Sequence, residues 1–457
     1  MTHPPRHLLP LGVLAATLLG LPAGAYGPYP EPPPPPPATA PATTPTAPAT
    51  PTAADGTPIY ANTPQELAPF SRFVKEPYRR FFVEKLDYYG PGRDLPEPEV
   101  DTVVIGLLTP LERSQEAYIG QAILAGATLA IDDANARGGY RGKPFALDVR
   151  NDTGMWGASA NEIIRFAHDS GARVILGTVD GANTHIAIRV ALKVEIPMIT
   201  VGDLDPTLPE TKIPWIFRVV PDDRQQAYTL AYYLYRQLDR QRVAVIRANN
   251  RYGRFGVREF LDSSVRLGRP APLEVNYEID WARTNPDFTL QIERMRLIDP
   301  DAIVLWADAA PAGTLVRKLR EAGIAAPVFA CDRVIHPEFF AAAGVHAEGV
   351  VAVAPYDPEA GGERFADFHR RYSARFGQPP CGYAAHAYDG TMLAVQAIQQ
   401  AGLNWAKIRD ALAGLQLAGV TGPISFQHDL ANRRRVLLST ARGGEFVIGE
   451  PRAETRF

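Results

Sequence analysis

The sequence predicts an α/β protein built from two lobes, each organised around a parallel sheet. From Asp101 onward, short apolar runs rich in β-branched residues alternate with longer amphipathic stretches, and this alternation is typical of βαβ units. The units form two blocks that join near residues 218–223. The chain after Tyr356 has no complete βα pattern of its own, so we expect it to complete the cores of the two blocks by crossing between them.

The first βαβ unit shows the pattern most clearly. Residues 103–108 are an apolar run of strand length, and residues 145–149 form a second one. Between them, apolar residues recur at helical spacing until Gly138 and Gly139, because glycine permits the left-handed backbone that ends a helix. Two short strands joined by a helix are expected to lie parallel in one sheet.

The remaining elements follow in the same alternation. The sequence predicts further strands at 174–176, 197–201, 216–220, 242–246, 273–277, 302–305, 327–329 and 350–353. It predicts further helices at 161–167, 184–193, 226–238, 257–267, 288–297, 315–322, 365–376, 384–401 and 407–415. Residues 424–447 are expected to form an antiparallel hairpin.

The N-terminus has the composition of an export signal. Arg6 supplies positive charge, residues 8–21 form an apolar core, and Ala23-Gly24-Ala25 fits a cleavage site. We therefore expect residues 1–25 to be a signal peptide and the mature protein to be periplasmic and soluble. An uncleaved signal anchor is the alternative interpretation.

Two further segments precede the regular alternation. Residues 26–54 are rich in proline and poor in apolar surface, which predicts a disordered linker. Residues 55–100 carry many aromatic side chains, and a short helix is expected near residues 77–88. These aromatic residues either pack on the main body or form a docking patch for a protein partner.

Composition and motifs exclude several function classes. The chain carries 47 Lys and Arg residues against 50 Asp and Glu residues, so its formal net charge of -3 favours neither nucleic acid nor an anionic membrane as a partner. The histidines lack metal-ligand spacing, and no nucleotide-binding or nucleophile motif occurs. We expect no enzyme activity, no metal and no cofactor. Cys331 and Cys381 form either a disulfide or two free thiols.

Short motifs along the chain resemble those of a known family in their order and spacing. They are IGLLTP at 105–110, DANARGG at 133–139, Asn151-Asp152, Gly177, IPMI at 196–199, Phe217-Arg218-Val219, NRYG at 250–253, Tyr383, Tyr388-Asp389-Gly390 and GPISF at 422–426. In these residues the sequence resembles the type I periplasmic binding proteins, in particular the leucine/isoleucine/valine-binding group of ABC-transporter receptors. The resemblance covers about Asp101 to Val447.

This resemblance implies a fold and a function. The family has two Rossmann-like lobes joined by a multi-strand hinge, which here would place residues 101–220 and 354–422 in lobe 1 and residues 221–353 and 423–457 in lobe 2. The implied function is capture of a small polar ligand, such as an amino acid or amine, by hinge closure, with delivery to an inner-membrane ABC permease. A periplasmic sensory or protein-interaction module with the same fold is the alternative.

Candidate ligand residues follow the strands, because ligands of open parallel sheets bind beyond the carboxyl ends of the strands. In lobe 1 the resemblance places Glu116, Tyr118, Asp180, Gly181, Thr184, Asp203 and Leu204 at the ligand. Gly181 and Leu204 stand where the family often has hydroxyls, so Thr184 would have to replace the first of these. The structural alternative is that Asp180 or Asn183 caps its own helix.

In lobe 2 the implied ligand residues are Tyr252, Trp306, Asp308 and Asp332. Asp332 aligns with an acid that binds a ligand ammonium, although Arg333 could neutralise it in a structural pair instead. Tyr252 is alternatively a packed aromatic residue. Because Asp180, Asp203, Asp308 and Asp332 all follow strands, the sequence predicts an acidic cleft and a ligand with positive charge.

Overall fold

The structure is a computed structural model that describes residue 88 and residues 91–153, 157–279, 286–426, 430–432 and 436–449. The expected export signal, the proline-rich linker, the helix expected near residues 77–88 apart from Tyr88, and the C-terminal residues lie outside the described residues. Among the residues that are described, no helix combines the length and the apolar composition needed to cross a membrane.

The first lobe is built on a five-stranded parallel sheet. Its strands are β1 (Val103–Thr109), β2 (Phe145–Asn151), β3 (Val174–Leu176), β4 (Met198–Thr200) and β5 (Ile216–Arg218). They lie in the order β2-β1-β3-β4-β5, and every pair is parallel. The direction of winding changes between β1 and β3, and the crevice at such a point is where open α/β sheets bind ligands.

The second lobe is built on a seven-stranded sheet. The remaining strands are, in chain order, β6 (Val243–Ala248), β7 (Leu273–Tyr277), β8 (Ala302–Trp306), β9 (Val328–Ala330), β10 (Val351–Ala354), β11 (Gln416–Gly419), β12 (Gly422–Ser425), β13 (Leu437–Arg442) and β14 (Glu445–Ile448). The sheet order is β14-β13-β10-β9-β8-β6-β7, and β11 pairs with β12 in a separate ribbon. Strands β6 to β10 are parallel, whereas β13 and β14 are antiparallel to their neighbours. The change of winding lies between β6 and β8.

Helices connect the parallel strands of both lobes, and further helices lie between β10 and β11. They are α1 (Ala117–Ala136), α2 (Ala158–His168), α3 (Gly181–Val194), α4 (Thr207–Glu210), α5 (Asp223–Tyr232), α6 (Arg251–Arg266), α7 (Thr289–Ile298), α8 (Ala309–Glu321), α9 (Pro337–Ala343), α10 (Pro358–Gly361), α11 (Glu363–Phe376), α12 (Gly382–Ala401) and α13 (Trp405–Gly414). A π-helical turn, Tyr233–Gln237, extends α5.

Close packing of α12 on α1 ties the late part of the chain to the first lobe. A Cβ atom at Gly126 would lie 2.1 Å from the carbonyl oxygen of Ala384, so the two backbones approach as closely as glycine allows. On the far side of α12, a Cβ atom at Gly390 would lie 2.5 Å from Cγ1 of Val201, just beyond β4. Glycine at these two positions therefore permits the helix to pack against both neighbours.

The chain crosses between the lobes after β5, after β10 and again before β13. The first and third crossings touch, because Arg218 forms a parallel bridge with Ala431 and receives the N–H of Asn432 on its carbonyl oxygen at 2.8 Å. Asp389 on α12 accepts hydrogen bonds from the backbone N–H groups of Val420 at 2.8 Å and Thr421 at 2.9 Å. The motif residue Asp389 therefore fixes the turn that leads into the third crossing.

The structure differs from the sequence-based expectation at the C-terminal end. Residues 424–447 do not form one hairpin, because β12 pairs with β11 before it, while β13 and β14 form a hairpin at the edge of the large sheet. Helices α6 and α8 begin about one and a half turns earlier than expected, at Arg251 and Ala309. For α6 the reason is an N-cap, because the Asn250 side chain accepts the N–H of Gly253.

The end of the aromatic extension packs on the first lobe. The Tyr88 hydroxyl donates a hydrogen bond to Oε1 of Glu195 at 2.7 Å, and its ring meets that of Trp215 edge-on. Asn404 donates to the carbonyl oxygens of Gly92 and Leu95 at 2.8 Å and 3.1 Å. For this part of the extension, packing on the main body is the interpretation that the structure supports.

Candidate functional site

The carboxyl ends of the two sheets face each other, and side chains from both lobes meet in the cleft between them. The side-chain contacts that span it include Arg333 with Glu116, Arg251 with Asp205, Tyr118 with Asp308 and Tyr383 with Asp332. In each pair, one residue follows a strand of the second sheet and the other belongs to the first lobe. The cleft is therefore shut in this structure.

Arg333 lies at the centre of the cleft and has almost no solvent exposure, with 1% of its side chain accessible. Its Nη1 donates to Oε1 of Glu116 at 2.6 Å and to Oδ1 of Asp308 at 2.9 Å. The Cζ atom lies 3.6 Å from the centre of the Tyr252 ring, which is a cation–π geometry. Burial raises the pKa of Glu116 to about 7, although the charge of Arg333 opposes this shift.

Asp332, the strongest ligand candidate from the sequence, is held by two tyrosines rather than by Arg333. The Tyr252 hydroxyl donates to Oδ1 at 3.0 Å and the Tyr383 hydroxyl donates to Oδ2 at 2.5 Å. Burial raises the pKa of Asp332, and the hydrogen bond from Tyr383 and the charge of Arg333 limit the rise. No described residue forms an ion pair with this carboxylate, so the structural pair with Arg333 that the sequence left open is not formed.

A second ion pair joins the lobes beside Gly181. Arg251 donates to Oδ2 of Asp205 from Nε at 2.8 Å and from Nη2 at 2.6 Å. Burial by itself raises the pKa of Asp205, but hydrogen bonds from His185 and Thr207 and the charge of Arg251 bring it below its usual value. A Cβ atom at Gly181 would lie 2.9 Å from both Nε of Arg251 and Oδ2 of Asp205, so glycine leaves room for this pair.

The start of α3 is satisfied within the chain. Oδ1 of Asp180 accepts the N–H groups of Ala182 at 2.9 Å and Asn183 at 3.1 Å, so Asp180 is an N-cap, as the structural alternative predicts. The Thr184 hydroxyl donates to the carbonyl oxygen of Asp180 at 2.9 Å and lies 2.5 Å from the hydroxyl of Thr178. In the shut cleft these groups are engaged with one another.

Two further buried carboxylates have an oxygen without a hydrogen-bond partner among the described residues. They are Asp203, which is 2% exposed, and Asp223, which is 1% exposed. Burial, with the charge of Asp205, raises the pKa of Asp203 to about 7. Burial, with the charges of Asp332 and Asp205, also raises the pKa of Asp223 well above its ordinary value. The shut cleft therefore holds several carboxyl groups whose neutral, protonated form is favoured by burial.

The cleft encloses a cavity of about 10 Å³, which is room for about one water molecule. Leu204, Asp332, Tyr383 and His386 are among its lining residues. Trp306, a predicted ligand residue, does not line this cavity. It is fully buried beneath α6, where a Cβ atom at Gly256 would lie 2.1 Å from its Nε1. A solute can therefore enter this cleft only if the lobes separate or side chains withdraw.

Several residues of the cleft were not predicted as ligand residues. Tyr383 occurs in a motif of the resemblance, but its contact with Asp332 depends on how the lobes meet. Asp223 follows the first crossing rather than a strand end, so the rule about strand ends does not select it.

Cys331 is buried, Cys381 is partly exposed, and both are free thiols in the structure. Among the described residues, no group of His, Cys, Asp and Glu has a metal-binding arrangement.

Two doubly wound lobes, joined by three crossings and closing over an acidic cleft, define the two-lobed class of solute-binding proteins. Comparison with known proteins gives the family. The chain belongs to the periplasmic binding protein family, whose family model matches residues 102–442.

Individual relatives and solved structures agree with this assignment. An amino acid binding protein of Pseudomonas aeruginosa is 27% identical over 304 residues, which cover 66% of this chain and 79% of the relative. Leu/Ile/Val-binding protein homolog 2 of Brucella abortus is 24% identical, with the same coverage. The crystal structure of the Streptococcus pneumoniae branched-chain amino acid transporter substrate binding protein LivJ, in complex with isoleucine, has a TM-score of 0.69 at 24% identity, covering 77% of this chain and 100% of that one.

A solute binding protein from R. palustris in complex with benzoate matches the fold equally well. Its TM-score is also 0.69, at 18% identity, covering 76% of this chain and 95% of that one. These similarities confirm the predicted fold class of two lobes with parallel sheets. Because they link one fold to an amino acid and to an aromatic acid, the ligand of this chain has to be inferred from its own cleft.

Proposed function

We propose that the chain is the solute-binding component of an ABC transporter and that it captures a small, positively charged solute between its lobes. The similarity to an amino acid binding protein and to Leu/Ile/Val-binding protein homologs supports an amino acid, an amine or a related compound. The charge of the cleft selects among these, because its buried carboxylates favour a cationic group.

The observation that carries the proposal is the environment of Asp332. Its carboxylate is 3% exposed, lines the enclosed cavity, accepts hydrogen bonds from two tyrosines and forms no ion pair with a described residue. A buried carboxylate without a cation is costly, and a ligand ammonium would form a charge-assisted hydrogen bond with it. We assign Asp332 as the residue that binds the cationic group, with Tyr252 and Tyr383 holding it in place.

The other predicted ligand residues divide into three sets. Glu116, Tyr118, Tyr252, Asp308, Asp203 and Leu204 lie in the shut cleft, and we propose that they form its wall. Asp180 and Thr184 support the start of α3, with Gly181 leaving space beside them, so we propose that they shape the lobe 1 side of the wall. Trp306 supports α6 from within the core and is not proposed to touch the ligand.

We further propose that the chain is exported to the periplasm with residues 1–25 removed, that it binds without catalysis, and that an inner-membrane permease receives the solute. The lobe boundaries remain those predicted, with lobe 1 at 101–220 and 354–422. A sensory or interaction module with the same fold is the alternative to transport.

A ligand screen tests the proposal. The full mature chain is heated with amino acids, amines and aromatic acids, and a ligand that binds the native state raises the melting temperature. We expect cationic solutes to raise it and Asp332→Asn to abolish the effect. Asp299→Asn, which changes an exposed carboxylate paired with Arg242, is the matched control. Absence of any cationic ligand across a broad panel would favour the interaction module.

A further inference from the structure

The guanidinium of Arg333 is surrounded as a bound ligand would be. Glu116 approaches it from lobe 1 and Asp308 approaches it from lobe 2, both at ion-pair distance from Nη1. The Tyr252 ring covers one face of the planar group at 3.6 Å. A planar guanidinium suits this arrangement, because it can lie against an aromatic ring with one face while its edge donates to carboxylates.

The fit of Arg333 to this site is incomplete. Its Nε is buried and has no hydrogen-bond partner among the described residues. The backbone is held separately, because the Tyr118 hydroxyl donates to the carbonyl oxygen of Arg333 at 3.2 Å. The residue therefore reaches the site from a fixed turn, the short 3₁₀ helix Asp332–Val334, and leaves one of its donors unsatisfied. A free solute would be under no such constraint.

We propose that Glu116, Asp308 and Tyr252 form a guanidinium-binding site, which this chain fills with its own Arg333 while the lobes are shut. A solute with a guanidinium head enters by displacing Arg333 from between the two carboxylates. The inference rests on the proposed function in one respect, since both place the solute in this cleft. It adds a second cation site, next to the one assigned to Asp332, and a chemical class for what binds there.

The proposal explains two features of the cleft together. The lobes are shut although the enclosed cavity has room for only about one water molecule. The two carboxylates come from different lobes, so a guanidinium between them holds the lobes together whether it belongs to Arg333 or to a solute. Arg333 therefore determines which solutes bind, because an arriving head group must replace its contacts with both acids and with the ring.

Chemical rescue tests the site. Arg333→Ala vacates it, and methylguanidinium is then added at concentrations far below those that denature proteins. We expect methylguanidinium to raise the melting temperature of the variant saturably by about 2 °C or more. Wild type should not change, because this small cation makes no contacts beyond the head-group site with which to displace the tethered Arg333. Arg333→Met, which fills the same space without charge, should not respond. Arg242→Ala, which removes an exposed arginine, is the control for nonspecific effects.

Second-site changes locate the effect. Adding Glu116→Gln or Asp308→Asn to Arg333→Ala should abolish the response to methylguanidinium, because each removes one of the two carboxylates. If Arg333→Ala does not fold, its soluble yield is measured with and without methylguanidinium during refolding. A gain in yield supports the site, whereas no gain in yield, or no rise in melting temperature for a folded variant, overturns it.

The outcome is separable from that of the ligand screen. A wild-type protein that binds no cationic solute, together with a rescued Arg333→Ala variant, would retain the guanidinium site and reject the proposed function. A wild-type protein that binds a cationic solute through Asp332, together with an unresponsive Arg333→Ala variant, would retain the function and reject the site.

Discussion

Arg251 of the second lobe and Asp205 of the first lobe form a two-point ion pair, with Nε and Nη2 at 2.8 Å and 2.6 Å from the same carboxylate oxygen. Asp205 is almost fully buried, whereas a quarter of the Arg251 side chain is exposed. The pair lies at the edge of the shut cleft, while Arg333 lies at its centre. Both guanidinium groups therefore hold the lobes together, and they differ in how much solvent they meet.

Removal of Arg251 is expected to favour the open form. Arg251→Ala leaves the Asp205 carboxylate buried without its cation unless the lobes separate and water reaches it. Since the arginine is partly exposed, we expect a modest loss of about 1–2 kcal/mol in the free energy of unfolding. Small-angle X-ray scattering should show a larger radius of gyration than wild type. An unchanged radius and unchanged stability would show that the pair contributes nothing to closure.

The stability of the protein is expected to fall as pH rises from about 4 to 7, in part because of Asp203. Its folded pKa of about 7 lies above the value of about 3.9 for an unfolded Asp, so the native state binds a proton that the unfolded state releases. This contribution is therefore complete below about pH 4 and is lost as pH rises through 7.

Asp203→Asn removes this titration. We expect the variant to gain on the order of 2 kcal/mol over wild type at pH 8 and much less at pH 4, measured by urea unfolding at both values. The amide oxygen that the change introduces can still accept the N–H of Asp205, which now lies 2.9 Å from Oδ1 of Asp203. Glu116 titrates in the same range, so part of the slope should remain. Equal gains at the two pH values would contradict the assignment.

The contact between α1 and α12 can be tested by adding one methyl group. Gly126→Ala places Cβ about 2 Å from the Ala384 carbonyl oxygen, so the helices must move apart, at a cost of about 1–3 kcal/mol. Gly414→Ala is the matched control, because nothing lies within 4 Å of its Cβ position. We expect that change to be neutral or to stabilise by about 0.5 kcal/mol. Equal effects of the two changes on urea unfolding would contradict the packing argument.

The sequence predicts the fold well because each element is local. The run 103–108 and the glycines after α1 identify the first unit without any knowledge of its neighbours, and the structure has β1 at Val103–Thr109. The pairing of strands, in contrast, is not determined by the local sequence. Residues 422–425 are extended, as expected, but they pair with residues that precede them, and the sequence does not indicate which partner is chosen.

The same distinction between local and long-range structure applies to the residues of the cleft. The rule about strand ends selects Asp308 and Asp332, because a βα unit fixes where its own strand ends. It does not show that Arg333 reaches Glu116, since those residues lie 217 positions apart and meet only when the lobes close. The sequence therefore identifies the acids of the site, whereas the cation that neutralises two of them depends on the arrangement of the lobes.

The two tyrosines on Asp332 are expected to contribute to ligand affinity through its protonation. Tyr383→Phe removes the donor 2.5 Å from Oδ2, and the pKa of Asp332 should rise further, because that hydrogen bond lowers it. A protonated carboxyl binds a cation poorly, so the affinity for a cationic solute should fall by about 5- to 30-fold, which corresponds to about 1–2 kcal/mol. The loss should become smaller as pH rises, because a higher pH favours the ionised carboxylate in both proteins. Tyr356→Phe is the control, because its ring lines the same cavity but no described residue accepts a hydrogen bond from its hydroxyl. Isothermal titration calorimetry with a solute found in the screen measures the affinity of each variant. A loss of affinity in Tyr383→Phe that does not depend on pH would show that the Tyr383 hydroxyl does not act through the protonation of Asp332.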